Sequence, residues 1–212
     1  MSQIFILADF AGDKCTKTTA ELATAAARNA SVTAIVLAAP GAGATLAASV
    51  KHGPIANVLV VESADFATHG VAAAADAIAQ VIAQKSPNAL LIASHAYGKE
   101  VAGRVAVATD SGIITDATSI DSDLITTQAV FGGSTTVHAA VTHGTTIATI
   151  RANSIEPIAG SAAPTQEDFT PTISDAEIEA LALANPTVAA ALNGATPKKV
   201  IARAPKIVNI VI

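Results

Sequence analysis

Short apolar runs alternate with alanine-rich segments of helical period through the first half of the chain. The apolar runs predict four strands, over Ile4 to Ala8, Val32 to Ala38, Val58 to Val61 and Ala89 to Ser94. The intervening segments predict helices over Lys17 to Asn29, Ala44 to Lys51, Gly70 to Lys85 and, after the Ala96-Tyr97-Gly98 turn, Lys99 to Ala108. This alternation is typical of βαβ units, so we expect a parallel sheet with helices on both faces.

Beyond Ser119 the pattern changes to strands that are separated by short turns. The strands are predicted over Leu124 to Phe131, Thr135 to Val141 and Thr145 to Arg151, and the first turn contains Gly132-Gly133. Glycine-containing gaps of this length favour hairpins, so an antiparallel extension is expected beside the parallel sheet. The predicted fold class is therefore α/β, a Rossmann-like parallel sheet flanked by helices with an antiparallel strand extension.

The predicted α/β domain covers residues 1–157, and residues 158–212 are expected to form a linker and a carboxy-terminal arm. The stretch to Pro164 has the Gly, Ser, Ala and Pro content of a linker. Ser174 and Glu177 form a capping-box pattern that predicts the start of a further helix. The closing run from Ile207 to Ile212 is apolar and strand-like.

Composition excludes several function classes. The net charge is −5 with 12 Lys and Arg, which argues against a nucleic-acid partner. The longest strongly apolar stretches are far shorter than the roughly 20 residues of a membrane span. The first residues have no basic region, so no signal peptide is predicted and a cytoplasmic or otherwise intracellular location is expected.

Candidate chemistry is sparse. Cys15 stands alone and the five histidines lack the spacing of a metal site, so neither a metal nor a catalytic group is predicted and no enzyme is expected. Gly41-Ala42-Gly43 is followed by no Gly-Lys-Ser/Thr and is interpreted as a plain turn.

The most informative segment runs from Ser94 to Glu100, where a strand end leads through a glycine turn into a helix. Exposed N–H groups at such a helix start can hold a phosphate, with Lys99 adding positive charge. A solvated first turn, with Arg104 paired to an acid such as Asp116, explains the same residues equally well. Spacing alone does not choose between the two.

With these residues in view, the chain resembles the electron-transfer flavoprotein α-subunit family from Ile4 to about Pro157. The resemblance is carried by Ile6-Leu7-Ala8-Asp9, Ala93-Ser94-His95-Ala96-Tyr97-Gly98-Lys99, Arg104-Val105-Ala106, Ile114-Thr115-Asp116 and Thr149-Ile150-Arg151-Ala152. It implies a heterodimer with a β subunit. In the family this heterodimer receives electrons from acyl-CoA and related dehydrogenases and passes them to a membrane quinone oxidoreductase.

The resemblance also implies where the cofactor would be. Family members hold FAD mostly in a second domain that opens with Gly-Gly-Arg-Gly, a motif that these residues lack. We therefore expect a second, FAD-binding domain to be missing and no FAD to bind this chain alone. The family pattern marks five candidate cofactor-binding positions, for which structural roles are equally open: Gly98, Lys99, Arg104, Asp116 and Arg151.

Two functions follow from these patterns. The first is a scaffold and partner-docking domain, with the β subunit contacting the strands between Leu124 and Arg151. The second is a self-sufficient adenine-nucleotide-binding module, in which AMP would lie at the strand ends near Asp9, Ala38 and Ser94.

Overall fold

The structure is a computed structural model that describes residues 2–28, 30–161, 163–171, 183, 185–194, 197, 199–203 and 207–211. The chain divides into two compact units, Met1–Pro171 and Thr172–Ile212. Each unit is built from its own set of strands and helices.

The elements of the first unit follow the predicted alternation. Its strands are β1 (Ser2–Leu7), β2 (Phe10–Ala11), β3 (Lys14–Cys15), β4 (Ala30–Ala38), β5 (Ile55–Glu62), β6 (Ala89–Ala93), β7 (Ile113–Ala117), β8 (Ser119–Ile120), β9 (Thr126–Val130), β10 (Thr135–Ala139), β11 (Thr146–Ile150) and β12 (Thr165–Phe169). Its helices are α1 (Lys17–Ala26), α2 (Gly43–Ser49), α3 (Asp65–His69), α4 (Val71–Lys85) and α5 (Ala96–Ala108).

Seven strands form one sheet in the order β12-β5-β4-β1-β6-β11-β7. Every pairing in this sheet is parallel. The helices cover both faces of this sheet. Side chains alternate between the two faces along β1, so β1 contributes to two different hydrophobic cores. Ile6 packs with Leu22 of α1 on one face, whereas Phe5 packs with Ile78 of α4 and Val101 of α5 on the other. The predicted Rossmann-like α/β class is confirmed.

A separate antiparallel sheet has the order β10-β9-β8. The turn between β9 and β10 contains Gly132 and Gly133, both with positive φ (67° and 90°), which glycine adopts without steric cost. The predicted hairpin between these strands is confirmed.

The prediction for Thr145 to Arg151 is wrong in part. This segment is a strand, β11, but it lies in the parallel sheet between β6 and β7 and does not join the antiparallel extension. All five residues of β11 are buried. A strand that is covered on both faces belongs in a parallel sheet, and the short turn before it suggested a hairpin instead.

Several other boundaries differ from the sequence interpretation. Strand β7 lies in a stretch for which no strand was predicted, and β12 lies within the segment that was predicted as linker and arm. β12 pairs with β5, so the parallel sheet continues past residue 157. Helix α1 ends at Ala26, and the predicted helix end at Asn29 lies outside the described residues.

The second unit is described in part. A helix covers Pro186–Leu192, and the Asn185 side chain caps it by accepting the Thr187 N–H at 2.9 Å. The closing apolar run forms the strand Ile207–Val211, as predicted, and this strand pairs antiparallel with the strand Lys199–Arg203. The capping box of Ser174 and Glu177 lies outside the described residues. Within the described part of the chain, no helix is both long and apolar enough to cross a membrane.

Candidate functional site

The strand order reverses direction at β1. From β1 the chain builds β4 and β5 on one side, then crosses over to β6 on the other side. Open α/β sheets bind ligands in the crevice at such a point, beyond the carboxyl ends of the strands. Asp9 follows β1 and His95 follows β6, and His95 Nε2 lies 3.5 Å from Asp9 Oδ1. The candidate site therefore begins with this pair.

His95 is the N-cap of α5. Its Nδ1 accepts the backbone N–H of Gly98 at 3.0 Å, which occupies one of the free donors of the helix start. Because Nδ1 is the acceptor, we assign the hydrogen of the neutral ring to Nε2, which faces Asp9. The second carboxylate oxygen of Asp9 accepts the Thr16 hydroxyl at 3.0 Å. Asp9 and His95 thus hold two loops at the crevice together.

Gly98 is required by packing. A Cβ atom at this position would lie 2.0 Å from the carbonyl oxygen of Ala93, which is backbone and cannot rotate away. The first turn of α5 therefore approaches the end of β6 more closely than any other residue type allows. This steric need explains Gly98 without a ligand.

Asp116 closes a ring of hydrogen bonds between three strands. Its backbone N–H donates to Thr149 Oγ1 at 2.9 Å, the Thr149 hydroxyl donates to Ser94 Oγ at 3.1 Å, and the Ser94 hydroxyl donates to Asp116 Oδ1 at 2.9 Å. The ring joins the carboxyl ends of β6, β7 and β11. Ser94 and Thr149 each both donate and accept, so the ring fixes their hydroxyl directions.

The backbone at Asp116 is unusual. Its φ is +63°, in the left-handed region that aspartate tolerates better than most residues. The register between β7 and β11 shifts between Ala148 and Ile150. Beside this irregularity the Asp116 carboxylate accepts hydrogen bonds from Ser94 and Arg151 at the strand ends.

Arg151 connects this ring to the antiparallel sheet. Its Nη2 and Nε donate to Asp116 Oδ2 at 2.6 and 3.2 Å, and Nη2 also donates to the carbonyl oxygen of Ala129 in β9 at 3.3 Å. The hydrogen bonds from Arg151 hold the pKa of the Asp116 carboxyl below its usual value, against an opposing effect of burial. Lys99 Nζ adds positive charge 3.7 Å from Asp116 Oδ1.

The five candidate positions taken from the family pattern therefore fall into two groups. Lys99, Asp116 and Arg151 lie together, with Gly98 one residue away on the first turn of α5. Arg104 lies apart, because it pairs with Glu100 one helical turn earlier, with Nη2 3.1 Å from Oε1. That pair lines an open cleft of about 580 Å³ between α4 and α5. Arg104 does pair with an acid, as one interpretation predicted, but the acid is Glu100 and not the suggested Asp116.

A further polar cluster at the same edge was missed from sequence. The turn after β4 directs two backbone N–H groups inward, from Gly41 and Gly43, and both donate to the Glu62 carboxylate, at 3.0 and 2.7 Å. A Cβ on Gly43 would lie 2.4 Å from Val60 Cγ1, so the close approach needs glycine. The turn is thus an anion-binding arrangement that is filled by the protein's own carboxylate.

The chemistry available at the site is modest. Among the described residues, no group of three or more His, Cys, Asp or Glu is placed to hold a metal ion. Cys15 lies near the crevice, and burial raises the pKa of its thiol. The roles of Ser94 and Thr149 could have been suspected only from their positions at strand ends, because hydroxyl residues are common throughout this sequence.

The chain is similar to one protein family and to two curated relatives over most of its length. The electron transfer flavoprotein domain family matches residues 4–181. The electron transfer flavoprotein subunit alpha of Mycobacterium tuberculosis is 32% identical over 163 residues, which are 76% of this chain and 51% of that protein. The corresponding subunit of Mycobacterium leprae is 30% identical over 156 residues, 74% of this chain and 49% of that protein. The chain spans about half the length of these curated relatives.

A second and much shorter similarity involves a different class of protein. The leucine–tRNA ligase of Streptomyces griseus is 61% identical over 44 residues, which are 21% of this chain and 5% of the ligase. The identity of this short match is almost twice that of the long one.

Proposed function

Because the chain belongs to the electron transfer flavoprotein domain family, we propose that its first unit is the scaffold and partner-docking domain of an α-type subunit. In this proposal a β subunit binds the first unit, and the complete assembly carries electrons from acyl-CoA-type dehydrogenases to a quinone oxidoreductase. The observation that carries the proposal is an exposed, unpaired sheet edge on a domain whose polar groups at the strand ends are satisfied internally.

The unpaired edge belongs to β10. This strand pairs only with β9 in the described part of the chain, and Thr135 to His138 are exposed. Phe131, at the tip of the hairpin, is 83% exposed, and the apolar side chains of Ile125 and Val137 are also exposed. Unpaired strand edges with apolar neighbours are sites where a partner adds backbone hydrogen bonds and apolar contact. Because β11 is buried, we narrow the docking surface to β8, β9 and β10.

The docking surface is also fixed in place. Arg151 donates to Ala129 of β9, and Gln128 Nε2 donates to the carbonyl oxygen of Thr115 in β7 at 2.6 Å. The backbone N–H of Thr118 donates to the carbonyl oxygen of Thr127 at 2.7 Å. A surface held in one orientation before binding loses less entropy when a partner docks.

Titration calorimetry with a purified electron-transfer flavoprotein β subunit tests the proposal. Phe131→Ser is expected to weaken the complex about ten-fold or more, since a central aromatic residue can contribute over 1 kcal/mol to binding. Val107→Ser is the matched control, because Val107 on α5 is 85% exposed but lies outside the three docking strands. A wild-type chain that shows no heat of binding contradicts the proposal, and equal losses from both variants contradict the assigned surface.

The same proposal covers the cofactor. We expect FAD to be bound by the complete family protein and not by this chain alone, and a visible absorption spectrum of the purified chain tests this. Two features disfavour the alternative of an AMP-binding module. The N–H groups of Gly41 and Gly43 already bind Glu62, and the N–H of Gly98 already binds His95. AMP released on heating the purified chain would support the alternative.

A second function is favoured by the short match to the leucine–tRNA ligases. We infer that this match covers the second unit and the end of the first, because its 44 residues slightly exceed the segment from Thr172 to Ile212. Matches of 163 and 44 residues also fit side by side in a chain of 212. We propose that the second unit makes a contact with tRNA, the substrate that the ligase name gives, and binding of a leucine tRNA transcript to the full chain tests it.

A further inference from the structure

The β9–β10 hairpin is anchored differently along its length. At its base, Thr126 is fully buried and lies opposite Ile120 of β8, which is also buried in the core. The register between β8 and β9 ends at Thr127, and the hairpin continues beyond it. None of the residues 128–138, here called the outer hairpin, is buried. Packing against the core therefore holds the base of the hairpin but not the outer hairpin.

Two side chains tie the outer hairpin to the rest of the first unit. Gln128 Nε2 donates to the carbonyl oxygen of Thr115 in β7 at 2.6 Å. Arg151 Nη2 donates to the carbonyl oxygen of Ala129 at 3.3 Å. Among the described residues, these are the hydrogen bonds that join the outer hairpin to elements outside β9 and β10. A two-stranded hairpin is at best marginally stable in water by itself, so its orientation depends on these two ties.

Arg151 is itself fixed by the ring at the strand ends. Its backbone N–H donates to the carbonyl oxygen of Ala117 at 2.8 Å, and its Nε and Nη2 donate to the Asp116 carboxylate. Arg151 Nη2 therefore bonds two acceptors at once, Asp116 in the ring and Ala129 in the outer hairpin. A planar guanidinium bonds such acceptors in a fixed geometry. The ring thus sets the position of the donor that the outer hairpin meets.

We propose that Arg151 is the positioning residue of the docking surface, because it locks the outer hairpin in the orientation that the partner binds. The inference rests on the docking function proposed above and adds a residue outside the three docking strands that controls it. With the Arg151 tie broken, Gln128 holds β9 at one point, and one hydrogen bond does not fix an orientation. Fewer molecules then present Phe131 to the partner, and the apparent affinity falls with the fraction of locked hairpins.

Hydrogen exchange of the free protein tests the lock without a partner. Arg151→Gln removes the tie, and the amides of residues 128–130, which pair with β10, are expected to exchange about five-fold faster. Glu62→Gln is the matched control, because it removes a hydrogen-bonded charge in β5, on the other side of the seven-stranded sheet from β7. Its outer hairpin should exchange at the wild-type rate. Unchanged exchange in Arg151→Gln overturns the lock, and so does equal acceleration in both variants, because the outer hairpin would then open only with the whole unit.

Association kinetics with the β subunit provide a readout that a purely structural role would not move. Arg151→Gln should slow association about two- to five-fold and leave dissociation unchanged, because the partner restores the orientation once it is bound. Arg151→Lys keeps the positive charge, so electrostatic steering is unchanged, but a single ammonium lacks the fork that bonds both acceptors. It should slow association as Arg151→Gln does. Arg28→Gln removes an exposed arginine that follows α1 and is the control for charge.

The possible failures can be told apart. If the wild-type chain does not bind the β subunit, the docking function itself is wrong, and the positioning role is wrong with it. If the wild type binds and both Arg151 variants associate at its rate, the docking function stands and the positioning role alone is overturned. Faster dissociation with unchanged association would place Arg151 in contact with the partner, and a slowing shared with Arg28→Gln but absent from Arg151→Lys would assign the effect to steering. Either result also overturns the positioning role.

Discussion

Removing the charge of Asp116 tests whether the ring at the strand ends holds the first unit together. In Asp116→Asn the amide oxygen can still accept from Ser94, and asparagine tolerates the positive φ at this position as well as aspartate does. The substitution removes the charge that Arg151 and Lys99 face. It also replaces Oδ2, which accepts from Arg151, by an NH2 group that cannot accept a hydrogen bond. Asp116→Ala removes in addition the acceptor and the side chain suited to this backbone.

The expected magnitudes follow from exposure. Hydrogen bonds to charged groups contribute about 1.5–3 kcal/mol when shielded from water. The Asp116 side chain is 36% exposed, so screening reduces the expected loss for Asp116→Asn to about 1 kcal/mol of unfolding free energy. Asp116→Ala is expected to cost about 2–3 kcal/mol, because an unpaired hydroxyl and a strained backbone add to it.

Urea denaturation at a series of pH values separates these contributions. Because the folded-state pKa of Asp116 is lowered, its charge stabilises the fold fully above the usual carboxyl pKa. That contribution is lost as the pH falls through the lowered value. The difference between wild type and Asp116→Asn should therefore shrink under acid conditions, whereas the backbone part of the Asp116→Ala effect should persist.

Glu100→Gln is the matched control, because it breaks the exposed pair with Arg104 on the surface of α5. Such i,i+4 pairs contribute about 0.3–0.5 kcal/mol. If Asp116→Asn is no more destabilising than Glu100→Gln at neutral pH, the ring is not a structural anchor. A destabilisation that stays constant as the pH falls would also refute the assignment to charge.

Three further predictions concern single positions. Gly98→Ala should destabilise the folded protein by about 3 kcal/mol or more in thermal or urea unfolding, because the added Cβ would meet the Ala93 carbonyl oxygen. Gly103→Ala is the control: it has open space around it and should stabilise the fold by about 0.5–1 kcal/mol. Equal effects of the two substitutions would contradict the packing argument. Glu62→Gln should lower the free energy of unfolding by about 1–2 kcal/mol in the same assay, since a carboxamide cannot accept both N–H groups of the glycine turn. An unchanged stability would show that water replaces the lost carboxylate oxygen. Cys15 should react with iodoacetamide more slowly at mildly alkaline pH than a small free thiol, because burial raises its pKa, and equal rates would contradict this.

Sequence patterns predicted the parallel sheet because its strands are short β-branched runs between helical segments. β1, β4, β5 and β6 were found in this way, and the glycine pair located the β9–β10 hairpin correctly. These features depend on residues that are near one another in sequence. Local hydrophobic period and turn chemistry carry that information.

The parts that sequence could not supply depend on contacts between distant residues. β11 was placed in the wrong sheet because its pairing with β6 joins segments over fifty positions apart, for example Thr146 with Ala89. Arg104 was expected to pair with an acid such as Asp116, whereas its partner is Glu100 on the same helix. Glu62 was missed because nothing in its neighbourhood indicates that it binds the Gly41 turn nineteen to twenty-one residues earlier.

Hydrogen–deuterium exchange of the first unit with and without the β subunit tests the central claim most directly. Edge-strand amides that lack a partner exchange quickly, and they become protected when another strand or loop covers them. We predict that binding protects the backbone amides of Thr135–Ala139 and leaves exchange at the crevice around Asp9 and His95 unchanged. Protection confined to that crevice, or no protection of β10 in a complex that forms, would contradict the docking surface proposed for this protein.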